Sequence, residues 1–236
     1  MTDSCQLTAD SCQLRGKRLH FARVQADIDE ILQGFPREVP VFPLGGVVLF
    51  PGAVLPLVIF EERYKQMLTD VLDKDRVISL ALLKQCSKEE YEREPPFHET
   101  VCVGQIIHHE SLPDGRYSIA LLGLSAGRAV AAKSDKPYRI ADIELLEDSF
   151  DAKAADEAKL ERAFRGSVPG PNDLAALRNQ LAQFLTTDHI PAAVINTCAL
   201  TAPVFPVHKL ELLEERSLAR RLDRLLEFLE RPWQWN

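Results

Sequence analysis

The stretch VPVFPLGGVVLFPGAVLPLVIF, residues Val39–Phe60, contains 22 residues without a charged side chain. Its length would suit a transmembrane helix, which needs about 20 apolar residues. Four prolines and three glycines interrupt it, and each interior proline would free backbone carbonyl groups that find no water in lipid. The stretch therefore argues against a membrane span and predicts short buried strands separated by turns, at 39–42, 47–50 and 54–60.

The composition is typical of a globular protein in a reducing compartment. The 236 residues carry a net charge of −7, and no region is basic, which argues against a nucleic-acid partner. The five cysteines are dispersed without a CxxC spacing, unlike a secreted disulfide framework. The N-terminal segment lacks the apolar core of a secretory signal. We therefore predict a cytoplasmic protein with no membrane contact.

Strand-like segments predominate as far as Glu147 and helix-like segments follow. The apolar periodicity and the turn residues predict a helix at 61–72, strands at 76–84, 125–137 and 138–148, a loop at 84–99, a hairpin turning at 113–115, and helices at 151–164, 174–185, 191–200 and 208–230. Within the last of these segments, Ser217 is a candidate N-cap for the helical stretch that follows it, whose apolar stripe consists of Leu218, Leu222, Leu225, Leu226 and Leu229. Strands followed by helices predict an α+β fold.

Three parts of the chain follow from this change of pattern. Residues 1–35 form an N-terminal tail that ends in a short helix at 25–33, residues 36–147 form a β-rich subdomain, and residues 148–236 form a helical subdomain. The tail repeats DSCQL once, at 3–7 and 10–14, which is too short a repeat for a repeat architecture.

The usual catalytic motifs are absent from the sequence. It contains no GxxxxGK[ST], GxGxxG, HExxH or GxSxG pattern. Cys198 follows Asp188 and His189, an arrangement similar to a nucleophile and its base, but the surrounding VINTCAL segment is apolar and buried thiols are normally unreactive. We therefore predict that the protein is not an enzyme, has no catalytic residues and needs no cofactor.

Two groups of potential metal ligands are too sparse to predict a metal site. Cys5, Cys12 and His20 supply fewer than the four ligands of a structural zinc site. His108 and His109 precede Glu110 on a predicted strand, where neighbouring side chains point to opposite faces.

A series of motifs resembles the Lon protease N-terminal (substrate-binding) domain family. The first motif reads P-x-F-P-L, V-x-F-P and P-L-x-I-F-E-x-R-Y; the second reads G-x-I, a D-G turn and G-L before an arginine, here with three residues between Leu124 and that arginine. The matching residues are Pro40, Phe42, Pro43, Leu44, Val48, Phe50, Pro51, Pro56, Leu57, Ile59, Phe60, Glu61, Arg63, Tyr64, Gly104, Ile106, Asp114, Gly115, Gly123, Leu124 and Arg128. The resemblance extends from about Pro36 to Leu229.

This resemblance implies a PUA-like pseudo-β-barrel of about six strands with one helix, followed by a C-terminal helical bundle. It also implies a non-catalytic module that binds unfolded or peptide segments of client proteins, with Phe50, Phe60, Arg63 and Tyr64 as candidate peptide-binding residues. No ATPase or Ser/Lys protease motif appears before Asn236, so we expect a stand-alone protein of this family. One alternative is an adaptor or regulator of a separate Lon-type protease. Another is a PUA-like small-molecule hydrolase or RNA-binding module.

Overall fold

The computed structural model describes residues 32, 34–36, 38–133, 135–152, 156–167 and 192–230. The elements in this part of the chain are β1 (Glu38–Leu44), β2 (Val54–Ile59), α1 (Glu62–Leu72), β3 (Val77–Leu83), α2 (Lys88–Arg93), β4 (Phe97–Ser111), β5 (Tyr117–Lys133), β6 (Arg139–Leu146), α3 (Glu157–Ser167), α4 (Ala192–Thr201), α5 (Pro206–Glu214) and α6 (Leu218–Glu230). None of these helices is long and apolar enough to cross a membrane. The helices predicted at 25–33 and 174–185 lie almost wholly outside the described residues.

Six strands form one sheet that closes into a ring. Their order is β2-β5-β4-β3-β1-β6, and β5 also pairs with β6. β1 and β3 are parallel, whereas the other pairs are antiparallel. β2 lies outside the ring and pairs with β5 through Val54–Ile59 opposite Tyr117–Leu122. The prediction of an α+β fold with a pseudo-barrel of about six strands is confirmed: five strands close the ring, and β2 is the sixth strand of the sheet.

The two faces of the ring bury two separate clusters. The smaller cluster takes residues from all five ring strands, among them Val41, Val101 and Ile143, and none from α1–α6, so it fills the inside of the ring. The larger cluster joins the other face of the sheet to the helices. The strands end at Leu146, and the division of the chain into two subdomains near that point stays a prediction.

The segment predicted as a strand at 47–50 is buried but irregular. Its backbone is fixed to β5, because the Gly52 amide donates to the Gly123 carbonyl at 2.8 Å and the Gly123 amide donates to the Ala53 carbonyl at 2.9 Å. A Cβ on Gly123 would lie 2.1 Å from the Phe50 carbonyl oxygen. This contact is too close for any residue except glycine, and the segment packs as a loop rather than as a seventh strand.

Two further elements differ from the sequence prediction. The predicted loop at 84–99 contains α2, whose N-terminus has a capping box formed by Ser87 and Glu90. The separate strand predicted at 125–137 is the continuation of β5, which extends without a break from the hairpin turn to Lys133. That continuity lets β5 pair first with β2 and then with β6.

A buried arginine joins the helices to the end of the sheet. Arg221 of α6 donates to both carboxylate oxygens of Asp148, at 3.1 and 2.7 Å, and to Oδ1 of Asn196 at 2.5 Å. Asn196 of α4 in turn donates to the Pro51 carbonyl at 2.9 Å. Ser217 caps α6 by accepting from the Arg220 amide at 3.1 Å, as predicted. These bonds fix the loop before β2 against α4 and α6.

Candidate functional site

The outward side of β2 is a continuous row of exposed apolar side chains. Val54 is 48% exposed, Val58 is 45% exposed, and Pro56 between them is also exposed. Phe60, directly after the strand, is 63% exposed. Because side chains alternate along a strand, the residues between them turn inward. We call Val54, Pro56, Val58 and Phe60 the β2 face.

The neighbouring strand extends this apolar surface. Pro56 lies opposite Ala120 and Val54 lies opposite Leu122 in the β2–β5 pairing, whereas Val58 lies opposite the polar Ser118. Residues directly opposite one another in an antiparallel pair share a face, and Leu122 also packs against the smaller cluster. Ala120 and Leu122 are half-buried. Single exposed apolar residues are ordinary, but a contiguous apolar surface is a typical feature of an interaction site.

The free edge of β2 is less suited to binding than its face. β2 pairs with β5 alone, so its other edge has no strand partner among the described residues. Pro56, at its middle, has no backbone N–H, and proline occurs in strands where the missing donor faces away from the neighbouring strand. An added strand would therefore lose a hydrogen bond at the centre of this edge, which is a known protection against edge-to-edge pairing.

Two of the predicted peptide-binding residues are core residues. Phe50 is 0% exposed, and Tyr64 is also buried, with its ring 4.5 Å from that of Phe42. Neither side chain reaches the surface, because the loop at 47–53 packs inward and Tyr64 lies on the inner side of α1. Of the four predicted residues, Phe60 is the one that lies fully on the surface.

Arg63 holds the start of α1 against α2. Its Nε and Nη2 donate to Glu61 Oε2 at 3.0 and 2.8 Å, and its Nη1 donates to the Tyr91 carbonyl at 2.9 Å. The guanidinium lies between the rings of Tyr64 and Tyr91, at 4.8 and 4.7 Å from their centroids. The Tyr91 hydroxyl donates to Glu61 Oε1 at 2.6 Å, and burial together with this carboxylate raises the pKa of Tyr91. We call Glu61, Arg63 and Tyr91 the α1–α2 clamp.

The residues considered for catalysis or metal binding are not assembled into a site in the described part of the chain. Cys198 is buried, and this burial raises the pKa of its thiol to about 12; His189 and Asp188 lie outside the described residues, as do Cys5, Cys12 and His20. His108 is opposite Ala120 and His109 is opposite Ile119. The two histidines are therefore adjacent on β4, and their side chains point to opposite faces of the strand. No group of three potential ligands among the described residues could hold a metal ion.

Sequence reasoning missed Val54 and Val58. The run Val54–Ile59 consists entirely of apolar residues, so it lacks the polar alternation that normally marks a half-exposed strand. The alternation of exposed and inward-facing side chains along β2 becomes visible only when its position at the edge of the sheet is known.

Comparison with known proteins gives a consistent result. Residues 38–231 match the family described as the ATP-dependent protease La (LON) substrate-binding domain. The Lon protease of Escherichia coli (strain K12) is 27% identical over 200 residues, which are 82% of this chain and 24% of that protein. Lon protease 2 of Herpetosiphon aurantiacus is 29% identical over 210 residues, again 24% of its length. The chain thus spans about a quarter of the curated relatives it matches.

Two solved structures share the fold. A Lon N-terminal domain protein from Xanthomonas campestris aligns with a TM-score of 0.59 and 23% identity, covering 81% of this chain and 98% of that one. The N-terminal domain of the Mycobacterium avium complex Lon protease aligns with a TM-score of 0.54 and 13% identity, covering 81% and 97%. At these identities the structural likeness supports the fold alone.

Proposed function

This chain belongs to the ATP-dependent protease La (LON) substrate-binding domain family, and from that premise we propose that it is a non-catalytic module that binds segments of protein substrates. The observation that carries the proposal is the exposed β2 face. The proposal concerns recognition, and the proteolytic activity in the names of the relatives is not assigned to this chain. The dispersed cysteines favour a cytoplasmic setting for this function.

The chemistry of the β2 face suits an unfolded segment. Unfolded chains expose apolar side chains that a folded partner buries, and each Å² of apolar surface removed from water contributes about 25 cal/mol. Phe60 is the largest exposed side chain of the face, and aromatic side chains often act as anchors in interfaces. The face carries no charge, so it selects for apolar content rather than for one particular sequence.

Binding through the face also fits the protected edge. Because Pro56 weakens strand addition, we propose that client side chains pack on Val54, Val58 and Phe60. In this mode the affinity depends on side chains of the client rather than on its backbone hydrogen bonds.

A binding assay with matched variants tests this proposal. The probe is a permanently unfolded protein, such as reduced and carboxymethylated α-lactalbumin, labelled for fluorescence anisotropy. The variant Val58→Ser/Phe60→Ser should weaken binding by about tenfold or more, since two partly buried apolar contacts are lost. Val130→Ser is the control, because Val130 is 56% exposed but lies on β5 away from β2. Equal affinity of the wild type and the double variant would contradict the proposal.

A second function follows from the same family membership. The matching relatives are Lon proteases, and this chain aligns with about a quarter of each. We propose as the alternative that the chain acts as an adaptor or regulator of a separate Lon-type protease. Adding the purified chain to such a protease should then change the degradation rate of an unfolded client, and an unchanged rate at saturating chain would exclude this function.

A further inference from the structure

A pocket rich in positive charge lies beside the α1–α2 clamp. Its volume is about 290 Å³. Its lining includes Arg63, Arg93, Glu94, Lys136, Tyr138 and Arg139. Four of these side chains are cationic and one is a carboxylate, in a chain whose net charge is −7. The local charge is therefore opposite to that of the whole protein.

Three of the four cations are held in place by a carboxylate and an aromatic ring. Arg63 is fixed by the α1–α2 clamp. Arg139 pairs with Glu94 at 2.8 Å and lies 5.4 Å from the centroid of the Phe97 ring. Lys136 pairs with Asp70 at 2.6 Å and also lies near an aromatic ring, that of Tyr138. Such cations lose little side-chain entropy when they bind a ligand.

Arg93, at the end of α2, is the fourth cation of the pocket. It is exposed, and it makes no ion pair with any residue that the structure describes. Three of the four cations have a carboxylate partner, in Glu61, Asp70 and Glu94, and of these carboxylates only Glu94 lines the pocket. Glu94 is exposed, and an exposed ion pair contributes little and exchanges readily.

We propose that this pocket binds a phosphate group. The cations approach it from three directions: Arg63 from α1, Arg93 from the end of α2, and Lys136 and Arg139 from the turn and strand at β6. A phosphate monoester offers three acceptor oxygens and a charge near −2, whereas a carboxylate offers two oxygens and one charge. A phosphate therefore satisfies donors on three sides, and it displaces Glu94 from Arg139. The ligand is either free phosphate or diphosphate, or a phosphorylated side chain of a polypeptide.

Calorimetric titration of the full chain tests the proposal and separates the two sources. One arm uses inorganic phosphate and pyrophosphate, and the other uses a phosphoserine peptide with its unphosphorylated form. Arg93→Gln should weaken binding about tenfold, the effect of one lost charge-assisted hydrogen bond. Glu94→Gln should strengthen binding, because it removes the competing carboxylate.

Matched controls separate a site from a general charge effect. Arg128→Gln and Glu89→Gln make the same charge changes at exposed positions outside the pocket, and they should leave the affinity unchanged. Selective binding of the phosphopeptide would support the proposal with a polypeptide source, and binding of pyrophosphate alone would support it with a free anion. Absence of saturable binding by every probe, or equal losses for Arg93→Gln and Arg128→Gln, would overturn it. The variant Val58→Ser/Phe60→Ser should retain phosphate binding. A negative result for the phosphate site is therefore distinct from a negative result for client binding at the β2 face.

Discussion

Replacement of Arg221 by methionine should destabilise the protein far more than the same change at Arg220, its neighbour on α6. Arg221 is fully buried, whereas Arg220 is largely exposed and pairs with Glu215 at 2.9 Å. Methionine has a similar length and fills the site without charge or hydrogen-bond donors. Comparing Arg221→Met with Arg220→Met therefore separates the effect of the buried polar contacts from the general effect of replacing an arginine.

The expected loss in the free energy of unfolding follows from the acceptor groups that Arg221→Met leaves without a hydrogen-bond donor. Asn196 Oδ1 and the Glu215 carbonyl lose their bonds to Arg221, at 2.5 Å and at 2.7 Å, and a buried acceptor without a partner costs about 1–3 kcal/mol. Asp148 keeps the bond to Arg216 at 2.6 Å, so it is not left uncompensated. Breaking a buried pair costs about 3–5 kcal/mol, and the retained partner places the expected loss near 3 kcal/mol.

Urea unfolding followed by far-ultraviolet circular dichroism measures this loss. With an m-value of about 3 kcal/mol per molar, the Arg221→Met midpoint should fall by about 1 M. Arg220→Met should change the free energy of unfolding by less than about 1 kcal/mol, as expected for an exposed pair. Equal midpoints for the two variants would refute the reasoning that the buried contacts of Arg221 hold α6 to the sheet.

Three further predictions concern acidity, thiol reactivity and packing. Hydrogen bonds, the strongest from Lys136, lower the pKa of Asp70 to about 2 from its ordinary 3.8; the carboxylate therefore stabilises the fold above pH 3.8, and this contribution is lost as the pH falls from about 4 to 2. Asp70→Asn should thus lose stability less steeply across that range in urea titrations, and parallel curves would contradict this. Alkylation mapped by peptide mass spectrometry should modify half-buried Cys86 before Cys198, whose pKa is raised to about 12 by burial; equal rates in the folded protein would disprove it. Gly123→Ala should lower the free energy of unfolding by about 2 kcal/mol, because the added Cβ would meet the backbone of Phe50. A loss below about 0.5 kcal/mol would show that the loop at 47–53 moves aside.

Local sequence signals predicted most elements but not the closure of the ring. The hairpin turn at 113–115 and the apolar run of β3 are local patterns, and both are confirmed. Closure requires β5 to continue through Ser125–Gly127, small residues that read as the start of a separate strand. A Cβ on Gly127 would lie 2.6 Å from the Ile143 side chain, so this glycine allows β6 to approach β5. Such a contact between distant strands leaves no local periodicity.

The candidate surface was predicted only in part, because apolar residues in one stretch serve two purposes. Val39–Phe60 contains core residues such as Phe50 and exposed residues such as Val58. All are apolar, so hydrophobicity alone cannot separate them. The separation depends on the edge position of β2, and that position is set by its pairing with β5.

The motif F-E-x-R-Y shows how adjacent residues divide these purposes. Glu61 directly precedes α1 and accepts hydrogen bonds from Arg63 and Tyr91, while Tyr64 fills the core. The backbone directly after Phe60 is therefore fixed by the α1–α2 clamp, and the Phe60 side chain projects from a rigid base. A fixed anchor loses less conformational freedom when a partner binds. Residues of the motif that touch no client would then raise the affinity of the β2 face by holding its largest side chain in position.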